Sequence, residues 1–307
     1  MFELRVAEKY KLGRKIASGT FGDVYHGTDT TNGDEVAIKL ERVRAKHPQL
    51  LHESKVYGTL QGGTGIANMR WFGAQGDYNG LIVDLLGPTL EELFDRCNRR
   101  FQLQTVLMIA EQLVERLEFL HSKSYILRDV KPENFLIGAV GALQSVIHVV
   151  DFGLARQYCD DVTQVHIPYD DQAGFVGSLR YASQGATAGK QQSRRDDLES
   201  VGFMLVYFLV GKLPWQNMKG DTKEQKTLLI SEMKTSTSLE QLCENCPKEF
   251  FTYLEYCRSL PFDALPDYAY LKSLFKSLFD RMGYLADNLF DWTTVSPPGV
   301  TSLEASR

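Results

Sequence analysis

Leu127-Arg128-Asp129-Val130-Lys131-Pro132-Glu133-Asn134, followed further on by Asp151-Phe152-Gly153, is the stretch on which the reading of this chain turns. Asp129 can accept a hydrogen bond from an incoming hydroxyl, the task of a general base. Lys131, two residues on, can neutralise a transferring phosphoryl group. Asn134 and Asp151 offer hard oxygen atoms suited to magnesium, which takes few protein ligands and leaves the rest of its shell to substrate phosphates. Each residue alone has an ordinary structural reading: Asp129 as a turn former, Asn134 as a cap, Asp151-Phe152-Gly153 as a strand end. Their joint occurrence in this order points to phosphoryl transfer.

Moving toward the amino end, Ala17-Ser18-Gly19-Thr20-Phe21-Gly22-Asp23-Val24 joins two strand-like runs, whereas a dinucleotide fingerprint sets its glycines between a strand and a helix. In a hairpin, positions without side chains let backbone N–H groups lie over a polyphosphate. Taken alone, the loop is equally well an ordinary glycine turn. The next run carries Val36-Ala37-Ile38-Lys39, and a lysine in a buried strand is costly unless its ammonium meets an anion. Glu53, fourteen positions on, is the natural carboxylate to hold that ammonium. A solvated lysine beside an unrelated glutamate is the alternative, and the Asp129 constellation removes it.

The surrounding pattern divides the chain near Gly87-Pro88. Before it, residues 10–18, 23–28, 35–40, 69–74 and 80–86 are short runs rich in Val, Ile and Tyr between turn signals, with a helix predicted over 48–60. After it, apolar residues recur at three and four residue intervals over 103–121, and 196–210 is apolar nearly all round, the mark of a central helix. Further helical patterns cover 223–234, 248–257 and 268–281, and residues 296–307 read as a loose tail.

With 307 residues, about twice the commonest domain size, two compact parts are expected. A chain 43% hydrophobic and 24% charged can bury a core, which excludes intrinsic disorder. Its 34 Lys and Arg against 39 Asp and Glu, a net charge of -5, give no general attraction to nucleic acid or an anionic membrane. No signal peptide is read at the amino end, so the chain is expected inside the cell. Residues 201–210 are far short of the roughly 20 apolar residues a spanning helix needs. Five scattered cysteines suit reduced thiols, and Cys243-x-x-Cys246, with no second pair, reads as packing or surface thiols.

With these motifs in place the chain resembles the eukaryotic protein kinases. Within them Lys46-His47-Pro48-Gln49-Leu50, Asp84-Leu85-Leu86-Gly87-Pro88, His166-Ile167-Pro168-Tyr169, Gln192-Ser193-Arg194-Arg195-Asp196-Asp197 and Leu213-Pro214-Trp215-Gln216 are similar to segments of the casein kinase I family. The resemblance implies an α+β, bilobal kinase fold: a small antiparallel β-rich N-lobe over 10–86 and a larger, mainly helical C-lobe over 87–290, with an extension at 1–9 and a tail at 291–307. It implies transfer of the ATP γ-phosphoryl group, with Mg2+, to Ser or Thr of proteins. Asp129, Lys131 and Asn134 then form the catalytic loop, and Asn134 and Asp151 hold the metal. Gly19 and Gly22 cover the phosphates, which Lys39 and Glu53 grip. Ile16, Ala37 and the linker Asp84 to Leu86 cradle adenine, with Leu86 supplying backbone hydrogen bonds, Val83 limiting the depth of the adenine pocket and Val24 a further cofactor-binding residue. Asp197 anchors the catalytic loop. Arg180 and Lys226 are the substrate-binding cations for acidic or phospho-primed proteins, with Arg156 as an addition. A monomer, without nucleic acid or membrane as partner and placed in cytoplasm or nucleus, completes the expectation.

Several positions depart from the pattern. Ala17 replaces the first loop glycine, Leu127 stands where kinases usually have His, and Tyr181-Ala182-Ser183-Gln184-Gly185 takes the place of Ala-Pro-Glu. Asp170-Asp171-Gln172-Ala173 is acidic or neutral where relatives carry Arg and Lys, which predicts a shallower preference for primed substrates. Apart from Asp197, Arg194-Arg195-Asp196-Asp197 is expected to make local salt bridges at a helix start. Thr163, Ser178, Thr293, Thr294 and Ser296 are candidate phosphorylation sites. A pseudokinase scaffold is the rival class; a nucleotide-dependent oxidoreductase is disfavoured by the hairpin setting of the glycines.

Overall fold

Short alternating runs make a sheet when one of their faces can be buried, and the amino-terminal part of this chain does so in the computed structural model. The structure describes residues 4–19, 22–139 and 141–293. Strands β1 (Arg5–Val6), β2 (Tyr10–Gly19), β3 (Gly22–Asp29), β4 (Glu35–Arg42), β5 (Met69–Gln75) and β6 (Tyr78–Asp84) form one antiparallel sheet in the order β1-β2-β3-β4-β6-β5. Residues opposite one another across such a pair share a face. The registers Val24↔Lys39, Lys39↔Leu81 and Ala37↔Val83 therefore place Val24, Ala37, Lys39 and Val83 on one side. Val36, Ile38 and Ile82 point the other way, into a small core completed by Val6 and Tyr10.

Helix α1 (Leu50–Leu60) begins later than the expected Pro48 because its start is set from the sheet. The Glu41 carboxylate on β4 accepts the Gln49 N–H at 2.7 Å and the Leu50 N–H at 3.2 Å, satisfying two of the free donors at the positive end of the helix.

The remainder is mainly helical: α2 (Leu90–Arg96), α3 (Leu103–Ser122), α4 (Gln184–Thr187), α5 (Arg194–Val210), α6 (Lys223–Ser236), α7 (Leu239–Leu242), α8 (Lys248–Ser259) and α9 (Tyr268–Arg281). Two small strand pairs, β7 (Tyr125–Ile126) with β10 (Arg156–Gln157) and β8 (Phe135–Ile137) with β9 (Ile147–Val149), hold the loops between α3 and α4. The architecture is the expected α+β one, a β-rich part followed by a larger helical part. Residues 196–208 of α5 are all buried, as an all-round apolar helix requires. At Gly202 a side chain would lie 2.4 Å from Leu254, so the missing Cβ is what lets α8 pack so close. α2 is not predicted above, although Thr89-x-x-Glu92 marks its start: Thr89 Oγ1 accepts the Glu92 N–H at 3.0 Å and Glu92 Oε2 accepts the Thr89 N–H at 2.8 Å.

The charge run at the start of α5 differs from expectation. Arg194 is buried, donates to the Asp263 carbonyl at 2.6 Å and lies 4.5 Å over the Tyr158 ring, while Arg195 donates to the Leu260 carbonyl at 2.6 Å. These arginines tie α5 to a distant loop; the local pair, Arg195 with Asp196, is only a 3.8 Å contact. Cys243 is buried in the main core, where burial pushes its thiol up to about 11. Among the described residues no helix is long and apolar enough to cross a membrane. Thr294, Ser296 and the rest of the expected tail beyond Thr293 lie outside the described residues.

Candidate active site

Lys39 reaches from β4 across to α1 and to the segment after β9. Its Nζ donates to Glu53 Oε2 at 2.6 Å and to Asp151 Oδ1 at 2.9 Å, with only 15% of the side chain exposed. Burial works against the ammonium, but the two carboxylates outweigh it and hold Lys39 above its ordinary pKa. Burial also lifts the Glu53 carboxyl above the usual range, opposed by Lys39, whereas at Asp151 the pull of Lys39 overrides burial and keeps the carboxyl low. Asp151 adopts a left-handed backbone, φ 62 and ψ 68, which is uncommon without a glycine and needs support around it. The neighbouring Phe152 supplies it: fully buried, it sits edge-on to Tyr57 of α1 with ring centroids 4.8 Å apart.

Asp129 is nearly buried and each of its oxygens is engaged. Lys131 Nζ lies 2.5 Å from Oδ2, and Ser178 Oγ donates to Oδ1 at 2.6 Å. Asn134 Nδ2 donates to the Asp129 carbonyl at 2.9 Å, which leaves its Oδ1 as the hard oxygen a metal could take. The loop itself hangs from α5. Asp197 accepts the Leu127 N–H at 2.6 Å and the Arg128 N–H at 2.8 Å, and so fixes the positive φ of 63° at Arg128. Asp197 is steadied in turn by His121, whose Nε2 lies 3.0 Å away and whose Nδ1 lies 2.7 Å from the Tyr268 hydroxyl. Burial depresses the His121 pKa, so the ring is neutral, donating through Nε2 and accepting from Tyr268 through Nδ1. Leu127, in place of His, is fully buried in the same core as Phe152.

Leu86 follows two residues after β6, which ends at Asp84. Among the described residues neither the N–H nor the C=O of Leu86 takes a partner, so both stay available to a planar base. Ile16 is 40% exposed on β2, close to the hairpin in which Gly19 pairs with Gly22. Gly22 has φ 142, and a Cβ there would lie 2.5 Å from the Leu40 carbonyl oxygen, so only glycine fits.

The substrate-side residues are less closely gathered. Arg180 is half-buried, 5.6 Å from the Tyr181 ring and 5.7 Å from the Tyr207 ring, with Glu91 in Coulombic range. Lys226 is exposed near the start of α6. Arg156 donates to Gln191 Oε1 at 3.0 Å. A lysine that sequence reading passed over sits beneath Arg180: Lys234 is fully buried, donates to the Leu179 carbonyl at 2.7 Å and to the Ala182 carbonyl, and lies 5.1 Å over Trp215. It holds the segment that carries Arg180. Its one sequence signal is its place four residues after the buried Ile230. Ser178 is marked in sequence only as a candidate phosphorylation site and His121 not at all, because their partners Asp129 and Asp197 are far away in the chain.

No group of three or more His, Cys, Asp or Glu side chains that could hold a metal occurs among the described residues. The Val150 N–H donates to the Asn134 carbonyl at 3.0 Å and so keeps Asn134 beside the segment of Asp151; two oxygen donors of this kind fit magnesium shared with phosphates. A family model described as protein kinase domain matches residues 10–279, nearly the whole chain.

Proposed function

The chain belongs to the protein kinase family, and on that premise we propose that it is a casein kinase I-like serine/threonine kinase acting on acidic or phospho-primed proteins. The observation that carries the reading is the pair of complete clusters: Lys39 with Glu53 and Asp151, and Asp129 with Lys131, Asn134 and Ser178. A binding-only pseudokinase has no need to keep both. Lys39, held by Glu53, grips ATP phosphates. Asp129 orients the substrate hydroxyl and accepts its proton, while Lys131 balances charge on the phosphoryl group. Asn134 Oδ1 and Asp151 would hold magnesium, which supplies charge neutralisation between the phosphates when bound. The contact from Ser178 supports the serine/threonine reading: Asp129 already holds an aliphatic hydroxyl at 2.6 Å, the contact an incoming Ser or Thr would make.

The setting of Arg180 supports a shallow preference for primed sites. Part of its charge faces Glu91 and Glu133 and part lies on aromatic rings, so a substrate phosphate must compete with these neighbours. We also take the protein to act as a monomer in cytoplasm or nucleus. The test is label transfer from ATP to casein with magnesium present, set beside Asp129→Asn of equal thermal stability. Transfer should fall by about 10²- to 10⁴-fold in the variant; equal background from both proteins would overturn the catalytic reading. A phosphoserine peptide run in the same assay, with and without Arg180→Ala, reads the substrate preference.

A further inference from the structure

Helix α1 reaches the segment after Asp151 with more than Glu53. Gln49, His52, Glu53 and Tyr57 recur at intervals of three and four residues, so they lie along one stripe of the helix and the turn leading into it. Tyr57 meets Phe152 edge-on, and a Cβ at Gly153 would lie 2.7 Å from Gln49 Oε1, so helix and segment touch at both residues. Beyond them, His52 Nε2 lies 2.7 Å from the carbonyl oxygen of Ala155. A carbonyl only accepts, so Nε2 carries a proton and donates it whether the ring is neutral or charged.

That carbonyl needs a donor. Ala155 is 2% exposed and stands just ahead of β10, outside its strand pairing, and no backbone N–H among the described residues takes its oxygen. A buried carbonyl without a donor is costly, so the bond from His52 matters more than the exposed position of this residue on α1 suggests. The preceding carbonyl, of Leu154, accepts Arg128 Nε at 2.8 Å. Successive carbonyls are thus gripped from two sides, one by the loop of Asp129 and the next by α1. Both grips act on the 3₁₀ turn Phe152–Leu154, which the Ala155 N–H closes on the Phe152 carbonyl at 3.0 Å and which Asp151 opens in its left-handed conformation. A closed turn of three residues, fixed at its far end, passes that position on to Asp151.

We propose that His52 is a positioning residue for Asp151: by holding the Ala155 carbonyl it keeps the closed turn seated against α1, and with it the Asp151 carboxylate beside Lys39. This rests on the kinase reading, in which Asp151 takes magnesium, and adds to it a residue that touches no reacting group. Partners that orient a metal ligand without binding the metal set its affinity in this way. Losing His52 loosens the hold on Asp151 and leaves Lys39, Glu53 and Asp129 in place. Were His52 only a seal on a buried carbonyl, its loss would lower stability and leave magnesium affinity alone.

The full chain is prepared as the parent, as His52→Leu, which removes the donor, and as His52→Gln, whose amide N–H restores one at similar reach. Leu and Gln are good helix formers and His52 is exposed, so both variants should fold. Magnesium is titrated by calorimetry with a non-hydrolysable ATP analogue bound, and amide hydrogen exchange over residues 152–155 is followed without nucleotide. His52→Leu should need about fivefold more magnesium, the equivalent of one neutral hydrogen bond, and exchange faster by a similar factor. His52→Gln should stay within about twofold of the parent in both, and analogue binding without magnesium should be equal in all three. The proposal is overturned if His52→Leu binds magnesium like the parent, if exchange over 152–155 is unchanged, if His52→Gln is as weak as His52→Leu, or if metal-free analogue affinity falls by the same factor, the mark of a general loosening of the cleft. Neither measurement needs phosphoryl transfer. A parent that binds magnesium and the analogue yet labels no casein counts against the catalytic reading alone; one that takes no magnesium defeats both.

Discussion

Two lysines are sunk into this protein in opposite ways. Lys39 is matched by two carboxylates, Glu53 at 2.6 Å and Asp151 at 2.9 Å, and its pKa rises. Lys234 is more deeply buried, and its hydrogen-bond partners are two carbonyls and the Thr187 hydroxyl, beside the faces of Phe203 and Trp215; burial lowers it to about 7. Full counter-charges keep an ammonium charged in a dry place, whereas dipoles and ring faces compensate only part of the loss of water. The first lysine is thereby a fixed cation facing the cleft. The second is a structural pin for residues 179–187.

The contrast breaks most visibly at Lys39. Replacing it with Met should reduce phosphoryl transfer by about 10²- to 10³-fold, because a preorganised cation is lost. It should also cost roughly 3–5 kcal/mol of stability, since Glu53 is left buried without its partner. Adding Glu53→Gln to Lys39→Met should recover much of the stability, read by urea unfolding, and none of the transfer. A double variant as unstable as Lys39→Met would show that the two side chains are not coupled.

Lys234→Met leaves no orphaned carboxylate, so its cost should be smaller, about 1–3 kcal/mol for the carbonyls of Leu179 and Ala182 left unpaired. Its kinetic mark should be a raised KM for protein substrate at unchanged KM for ATP. An equal rise in both would place its influence elsewhere than the 179–187 segment.

The smallest effect is in pH. Lys234 has a folded pKa of about 7, below the 10.5 of the unfolded chain, so between these values the unfolded state binds more protons. Stability attributable to Lys234 must then rise with pH through that window and fall away as pH drops through 7. Relative to Lys234→Met, the parent should gain about 1 kcal/mol from pH 7 to pH 8, measured as unfolding free energy. No change across that interval would mean that the lysine stays charged throughout.

The same contrast explains what could be read beforehand. Lys39 was legible because strand alternation, the nearby glycines and the Asp129 stretch constrain one another over short distances. The strands and long helices were legible for the same local reason. Lys234 was not: a lysine in a polar helix reads as solvated, and its acceptors belong to a loop some 50 residues away in sequence. Arg194 and Arg195 misled in the same fashion, since their carbonyl partners at Asp263 and Leu260 carry no sequence mark. α2 is announced only by its capping pair Thr89 and Glu92, since seven residues are too few for an apolar period to show.

The cap that Glu41 places on α1 has a consequence for control. Glu53 rides on α1, Lys39 rides on β4, and Glu41, on the same strand two residues from Lys39, holds the first turn of α1 by Gln49 and Leu50. Helix and strand therefore travel as one piece. An inhibitory state that swung Glu53 away would first have to strip two backbone donors from a carboxylate, so the assembled ion pair is the resting position and switching off is the step that needs work.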